Sequence, residues 1–264
     1  MNLPFSIAIT SNEICLFSAA QQLAEKNSLP YIDYIESKKF DYVLILSSTG
    51  LYLEDVQKKL GSLKIDFLQG KLAYRLNHIK SQKQLLARAI GLKPNFKPHV
   101  LDATAGLGSD GFILAQLGCP TILLERSPIV FLLLKDALDR ALENPKFLSL
   151  PIKLIKIESL TYLKQIISNF RASPEVIYLD PMYPHSSKSA LAKKEMRFLR
   201  YLVGDDTDAS NLLKLATLCA KQRVVVKRPR LSLYLANTKP HHSIFGKQHR
   251  LDVYLTHLKT NRRT

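Results

Sequence analysis

From His99 onward, short apolar runs alternate with longer stretches of helical spacing. Val100-Leu101 predicts a strand ending at Asp102, and Phe112 to Leu117 predicts a helix. Thr121 to Leu124 is a second strand, closed by Glu125. Ser127-Pro128 then predicts the cap of a helix over Ile129–Leu142, because proline suits the first helical turn. Ile152 to Ile157 is a third strand ending near Glu158-Ser159, followed by a helix from Leu160 to Ser168. Val176 to Leu179 is the fourth strand, ending at Asp180. A helix from Ser210 to Ala220 and a fifth strand, Val224 to Val226, come next. Leu251 to Thr256 alternates apolar and polar residues, as an antiparallel edge strand would. The alternation predicts an α/β fold with a doubly wound, mostly parallel sheet and a ligand crevice at the strand carboxyl ends.

The first ninety residues have a different rhythm. Ile7 to Ile9 and Tyr42 to Leu46 read as strands, and Ile14 to Glu25 has helical spacing. Ser48-Thr49-Gly50 predicts a hairpin turn into Leu51 to Leu53, and Ile65 to Leu68 leads into a turn at Gln69-Gly70. A helix from Gln84 to Ile90 ends at Gly91, and Pro94 and Pro98 mark a linker. The expected organisation is a small α+β unit over 1–90 and a Rossmann-like domain over 91–264.

Charge adds what periodicity cannot. Lysine and arginine number 38 against 22 acids, a net charge of +16. An excess of that size points to a polyanionic partner, with nucleic acid ahead of a membrane surface. Cys15, Cys119 and Cys219 are far apart and form no C-x-x-C pair, so neither a zinc site nor a disulfide framework is indicated. Buried thiols in a reducing cytoplasm are the simple reading. The N-terminus lacks the basic region of a signal peptide, and the most apolar run, Pro120 to Leu134, is interrupted by Glu125-Arg126 and too short to span a bilayer.

The candidate chemistry lies at the predicted strand tips. Gly106 and Gly108 form a G-x-G turn between a strand and a helix, where bare backbone N–H groups can meet a nucleotide-like ligand. The turn is read as G-x-G without a third glycine, and that absence together with Asp102 at the strand tip argues against NAD: the carboxylate would repel a pyrophosphate but suits the ammonium of a methionine-type ligand. Glu125 lies about 20 residues beyond the turn, the spacing of an acid that accepts hydrogen bonds from a ribose diol. Glu158 ends the third strand. Tyr178 to His185 reads YLDPMYPH, in which Pro181 ends the strand and leaves Asp180 at its tip. An Asp180 carboxylate could accept a hydrogen bond from an exocyclic NH2, and Tyr183 could stack on a base taken out of its helix. Basic residues cluster around this turn at Lys188, Lys193, Lys194 and Arg197, and again at Lys227 and Arg228. Arg75 lies in an earlier basic stretch with Tyr74. All seven are candidate RNA contacts.

The segments VLDATAGLGSD, LLERSP, VIYLDPMYPHSSKSALAKKEMR and RVVVKRP together resemble the ribosomal RNA small subunit methyltransferase J family. The resemblance runs from about Gly70 to the C-terminus, and its LDPMYPH…KSALAKKEMR block is the specific part. It implies a class I (Rossmann-like) methyltransferase fold and S-adenosylmethionine as donor. It also implies methylation of the N2 amine of one guanosine in 16S ribosomal RNA. Carried over by position, the family's cofactor contacts fall on Ser109, Asp110, Glu125, Arg126, Glu158, Ser159 and Asp180. The alternatives are methylation of another nucleobase or of DNA, and a non-catalytic basic RNA-binding protein on the same fold.

Overall fold

The structure is a computed structural model that describes residues 5–57, 59–70, 73, 84–182, 194–204 and 208–256, without the side chains of Lys194 and Glu195. Two sheets organise it. In the first, β1 (Ile7–Ser11) runs parallel to β2 (Tyr42–Ser47). β2 turns through Ser48 and Thr49 into the antiparallel β3 (Gly50–Asp55), and β4 (Ser62–Leu63) pairs on the outer side of β3. Helix α1 (Phe17–Lys26) buries Ala20 and Ala24 and packs on β1. Ile65 to Leu68 is irregular rather than extended, and the last strand lies just before it.

Helix α2 (Leu85–Ile90) stops at Gly91, whose φ of 74° closes the helix in the left-handed conformation. Its contacts are with the second sheet. That sheet begins with β5 (Val100–Asp102), α3 (Ser109–Gln116), β6 (Thr121–Glu125) and α4 (Pro128–Leu142). It continues with β7 (Ile152–Lys156), α5 (Ser159–Ile167), β8 (Val176–Leu179) and α6 (Lys194–Val203). It closes with α7 (Ala209–Cys219), β9 (Arg223–Pro229), β10 (His242–Phe245) and β11 (His249–Leu255). The strands lie in the order β10-β11-β9-β8-β5-β6-β7, with β11 antiparallel to both neighbours and β5 to β9 parallel. The connections reverse direction between β5 and β8, which opens a crevice at the carboxyl ends of those two strands. β8 is buried along its whole length, as a strand covered on both faces must be.

The predicted edge strand is corrected by this order: β11 is internal, and β10 forms the edge. β10 reads His-Ser-Ile-Phe and has no apolar run of its own to announce it.

One apolar cluster joins the two sheets, running from Leu44 and Leu53 through Phe67 to Phe112, Leu134 and Val225. Phe67 stacks on Phe112 with centroids 4.2 Å apart and planes 6° from parallel, and Phe147 meets Phe112 edge-on at 5.3 Å. Helix α4 lies against β3. Its Arg140 is held by Asp136 at 2.9 Å and donates to the carbonyl of Ile65 at 2.7 Å. A second cluster fills the other face of the large sheet, where Leu101, Ile177 and Val224 meet Leu163 and Leu213. No helix among the described residues is long and apolar enough to cross a membrane.

Phe67 is 1% exposed and connects the two sheets, so Phe67→Ala is expected to cost about 3–5 kcal/mol. Urea unfolding would read this as a lower midpoint on a single transition, and a midpoint equal to that of the parent would contradict the shared core.

Candidate active site at the strand carboxyl ends

The turn after β5 is shaped by three glycines. Gly106 and Gly108 have φ of +52° and +74°, values that L-residues rarely adopt. A Cβ on Gly108 would lie 2.5 Å from Leu134 Cδ1, and one on Gly111 would lie 2.2 Å from Leu123 Cδ2. The expected absence of a third glycine is corrected: Gly111 completes a G-x-G-x-x-G spacing with Gly106 and Gly108, a signal already present in the sequence. Its part is close packing of α3 on β6. The case against a dinucleotide therefore rests on the strand-tip acid and not on the glycine count.

Asp110 and Asp180 converge on one ammonium, with Asp102 buried nearby. Lys227, from β9, reaches Asp110 Oδ2 at 2.7 Å and Asp180 Oδ2 at 2.8 Å. The Tyr178 hydroxyl also donates to Asp110 Oδ2, at 2.7 Å. Asp102 is 2% exposed, and its Oδ1 accepts from the Thr104 N–H at 3.1 Å. Burial, with Asp110 and Asp180 nearby, pushes the Asp102 carboxyl up to about 8, against the pull of Thr104 and Lys227. Burial also raises Asp180, while Lys227 draws it back toward the ionised form. Thr104 and Tyr178, neither singled out by sequence, fix the geometry. The Thr104 hydroxyl accepts from the Asp180 N–H at 2.6 Å, and the Tyr178 carbonyl accepts from the Ala103 N–H at 3.0 Å. Asp180 Oδ1 takes no hydrogen bond among the described residues.

Glu125, at the tip of β6, is held by the N–H of Ser127 at 2.6 Å and of Gly106 at 3.0 Å. Burial lifts it to about 7 against those two donors. Each carboxylate oxygen keeps a lone pair beyond these bonds, so an oriented diol could still be met. Arg126 lies 3.6 Å from Asp208. Glu158 caps α5 and accepts from the N–H groups of Leu160 and Thr161 at 3.0 and 2.7 Å. The Ser159 hydroxyl donates to the Ala103 carbonyl, which ties the β7 tip to the β5 turn. Ser109 and Asp110 form the first turn of α3, with the Asp110 carboxylate directed at Tyr178 and Lys227.

Two of the expected RNA contacts are corrected. Arg228 is 1% exposed and donates to the Leu233 carbonyl, so no phosphate backbone can reach it. Lys227 is spent on the two aspartates. Arg197 is exposed on α6. Arg75, Tyr183, Lys188 and Lys193 lie outside the described residues, as does the side chain of Lys194. A separate cavity of about 410 Å³ opens at the amino-terminal ends of β5 to β7, between His99, Pro120 and Pro174, and no acid lines it.

The residues fit a cationic nucleoside cofactor. With Asp102 protonated, Asp110 and Asp180 against one lysine leave the crevice one negative charge in excess, which favours an ammonium or sulfonium over a pyrophosphate. The strand order, the glycine turn and the acids at the tips of β5 and β6 define a class I S-adenosylmethionine-dependent methyltransferase. Residues 22–256 match the family described as "Putative SAM-dependent methyltransferase". A SAM-dependent methyltransferase from Neisseria gonorrhoeae, known as a crystal structure, superposes with a TM-score of 0.72 at 32% identity, covering 94% of this chain and 96% of that one. The ribosomal RNA small subunit methyltransferase J of Nitrosococcus oceani is 46% identical over 91% of this chain and 94% of its own length. The protein of the same name from Desulfotalea psychrophila is 45% identical over 90% and 91%. The chain belongs to the ribosomal RNA small subunit methyltransferase J family.

The folded state holds the Asp102 proton to about pH 8, whereas the unfolded chain releases it near 3.8. Stability from this group is therefore full below pH 3.8 and is lost as pH rises toward 8. Asp102→Asn should flatten that decline in urea midpoints measured across the interval. An unchanged slope would show that Asp102 is not the group responsible.

Proposed function

We propose that this protein transfers a methyl group to the exocyclic N2 amine of one guanosine in 16S ribosomal RNA, in the cytoplasm. The observation that carries the reading is Asp180 at the tip of β8, its backbone N–H held by Thr104 and its carboxylate by Lys227, beside the strand that ends in Asp102. When bound, S-adenosylmethionine supplies an electrophilic methyl on a sulfonium sulfur. In this reading Asp102 pairs with the ligand's ammonium, and Glu125 accepts hydrogen bonds from the ribose hydroxyls. The turn at Gly106 and Gly108 and the first N–H groups of α3, at Ser109 and Asp110, give close backbone approach. Arg126, Glu158 and Ser159 line the nucleoside side.

Asp180 accepts one N–H of the guanine amine and so aims the nitrogen lone pair. Lys227 keeps the Asp180 carboxylate ionised and fixed in place. Tyr183 stacks on the extruded base. As the new N–C bond forms at the expense of the methyl–sulfur bond, whose electron pair stays on sulfur as a neutral thioether, the nitrogen becomes cationic and acidic, and one proton leaves it through Asp180 to solvent. No stronger base is needed, and rate comes from in-line positioning and exclusion of water.

Asp180→Asn is expected to lower methyl transfer to unmethylated 16S ribosomal RNA by at least about 100-fold, while affinity for S-adenosylhomocysteine changes less. Transfer at the parent rate would remove Asp180 from the mechanism, and mapping the methylated nucleotide separates guanine N2 from other bases. Calorimetric titration with S-adenosylhomocysteine should show one site that Glu125→Ala weakens about tenfold or more. Binding unaffected by that change would assign Glu125 to the turn alone.

A further inference from the structure

We infer that the outer corner of the large sheet, where the chain leaves β9 and where β10 turns into β11, docks a single-stranded RNA segment flanking the target base. The inference rests on the RNA substrate proposed above and adds the place and mode of contact. Leu231 is 93% exposed, Leu233 79% and Phe245 56%. Apolar side chains grouped on one projecting corner mark a contact surface rather than ordinary exposure.

The loop that carries the leucines is held from beneath. The buried Arg250 donates to the carbonyls of Arg230 and Ser232 at 2.8 and 2.9 Å, and the buried Arg228 donates to that of Leu233. Asp252 balances Arg250 at 2.8 Å. Two interior guanidiniums thus fix a loop whose side chains face outward, so the surface is preorganised for its partner. Arg230 links the two halves of the corner. It donates to the Gly246 carbonyl at 2.8 Å, and its guanidinium lies 5.7 Å from the centre of the Phe245 ring.

Charge and position choose the partner. From Ala209 to Leu251 the chain has no acid, and Arg230 and Lys247 are exposed cations at this corner. An aromatic ring and an arginine plane beside apolar wedges, in a basic field, fit unstacked bases and their phosphates. The corner also adjoins the crevice. Lys227 and Arg230 are three residues apart at the end of β9, and His249 at the start of β11 is close enough to Asp180 to influence its charge. RNA lying on the corner would deliver a neighbouring base to Asp180.

The chain contains no tryptophan, so Phe245→Trp gives a single indole reporter. Its emission should be quenched by a single-stranded RNA of about 20 nucleotides, while that of Phe170→Trp should not change. Phe170 is 83% exposed beyond the carboxyl end of α5, at the opposite end of the strands. The exposed pair Leu231→Ser and Leu233→Ser should raise the dissociation constant for the same RNA about tenfold and leave S-adenosylhomocysteine affinity unchanged. An indole at 245 that stays unquenched at RNA concentrations saturating a filter-binding assay would overturn the docking surface and leave the RNA substrate standing. Quenching by phosphatidylglycerol vesicles and not by RNA would overturn it in favour of a lipid surface. Absence of RNA binding in the filter assay would overturn the substrate reading along with it.

Discussion

Parallel strands that end in acids bring like charges together, and the Lys227 ammonium is what lets this sheet tolerate them. Asp110 comes from α3, Asp180 from the end of β8 and Lys227 from β9, so one cation joins three elements distant in sequence. Its bonds to both aspartates offset part of their desolvation and repulsion, and Tyr178 supplies a further donor from the middle of the sheet. Asp102 has no cation in direct contact and retains its proton to about pH 8. Asp110 and Asp180 still outnumber Lys227, so the crevice is negative by one charge, which is the electrostatic condition a cationic ligand relieves.

Most of the large sheet is legible in the sequence because its signals are local. β5, β6, β8 and the middle of β9 are apolar runs, α4 has its Ser127-Pro128 cap, and α2 ends at a glycine in the left-handed region. β10 is not legible because two of its four residues are exposed and its pairing with β11 cannot be seen from composition. The fate of basic residues is the other gap. Lys227 and Arg228 are adjacent on one strand and face opposite sides, each toward a partner that no local pattern reveals. Asp110 lies 117 residues away from Lys227, and the Leu233 carbonyl that Arg228 meets belongs to a loop. A lysine-arginine pair at a strand end reads as solvent-facing until the acids opposite it are placed. Glu158 shows the converse, since an acid at a strand tip can be occupied as a helix cap.

The distribution of charge separates two environments. Acids gather inside the crevice, whereas the stretch from α7 to β11 carries no carboxylate until Asp252. The interior guanidiniums of Arg228 and Arg250 belong to neither environment, because their donors are turned onto backbone carbonyls and onto Asp252. Net charge read from sequence therefore overstates the cationic surface, and position in the sheet decides which arginines remain outside.

Phe67 belongs to the segment that follows the first sheet, yet its ring lies 3.3 Å from the point a Cβ on Gly108 would occupy. The glycine turn is thus walled on one side by a residue encoded before the large sheet begins. The first segment is therefore part of the site's architecture. An N-terminal unit that merely decorated a Rossmann-like domain could be deleted or replaced by recombination, but here its removal would strip the inner wall from the turn itself.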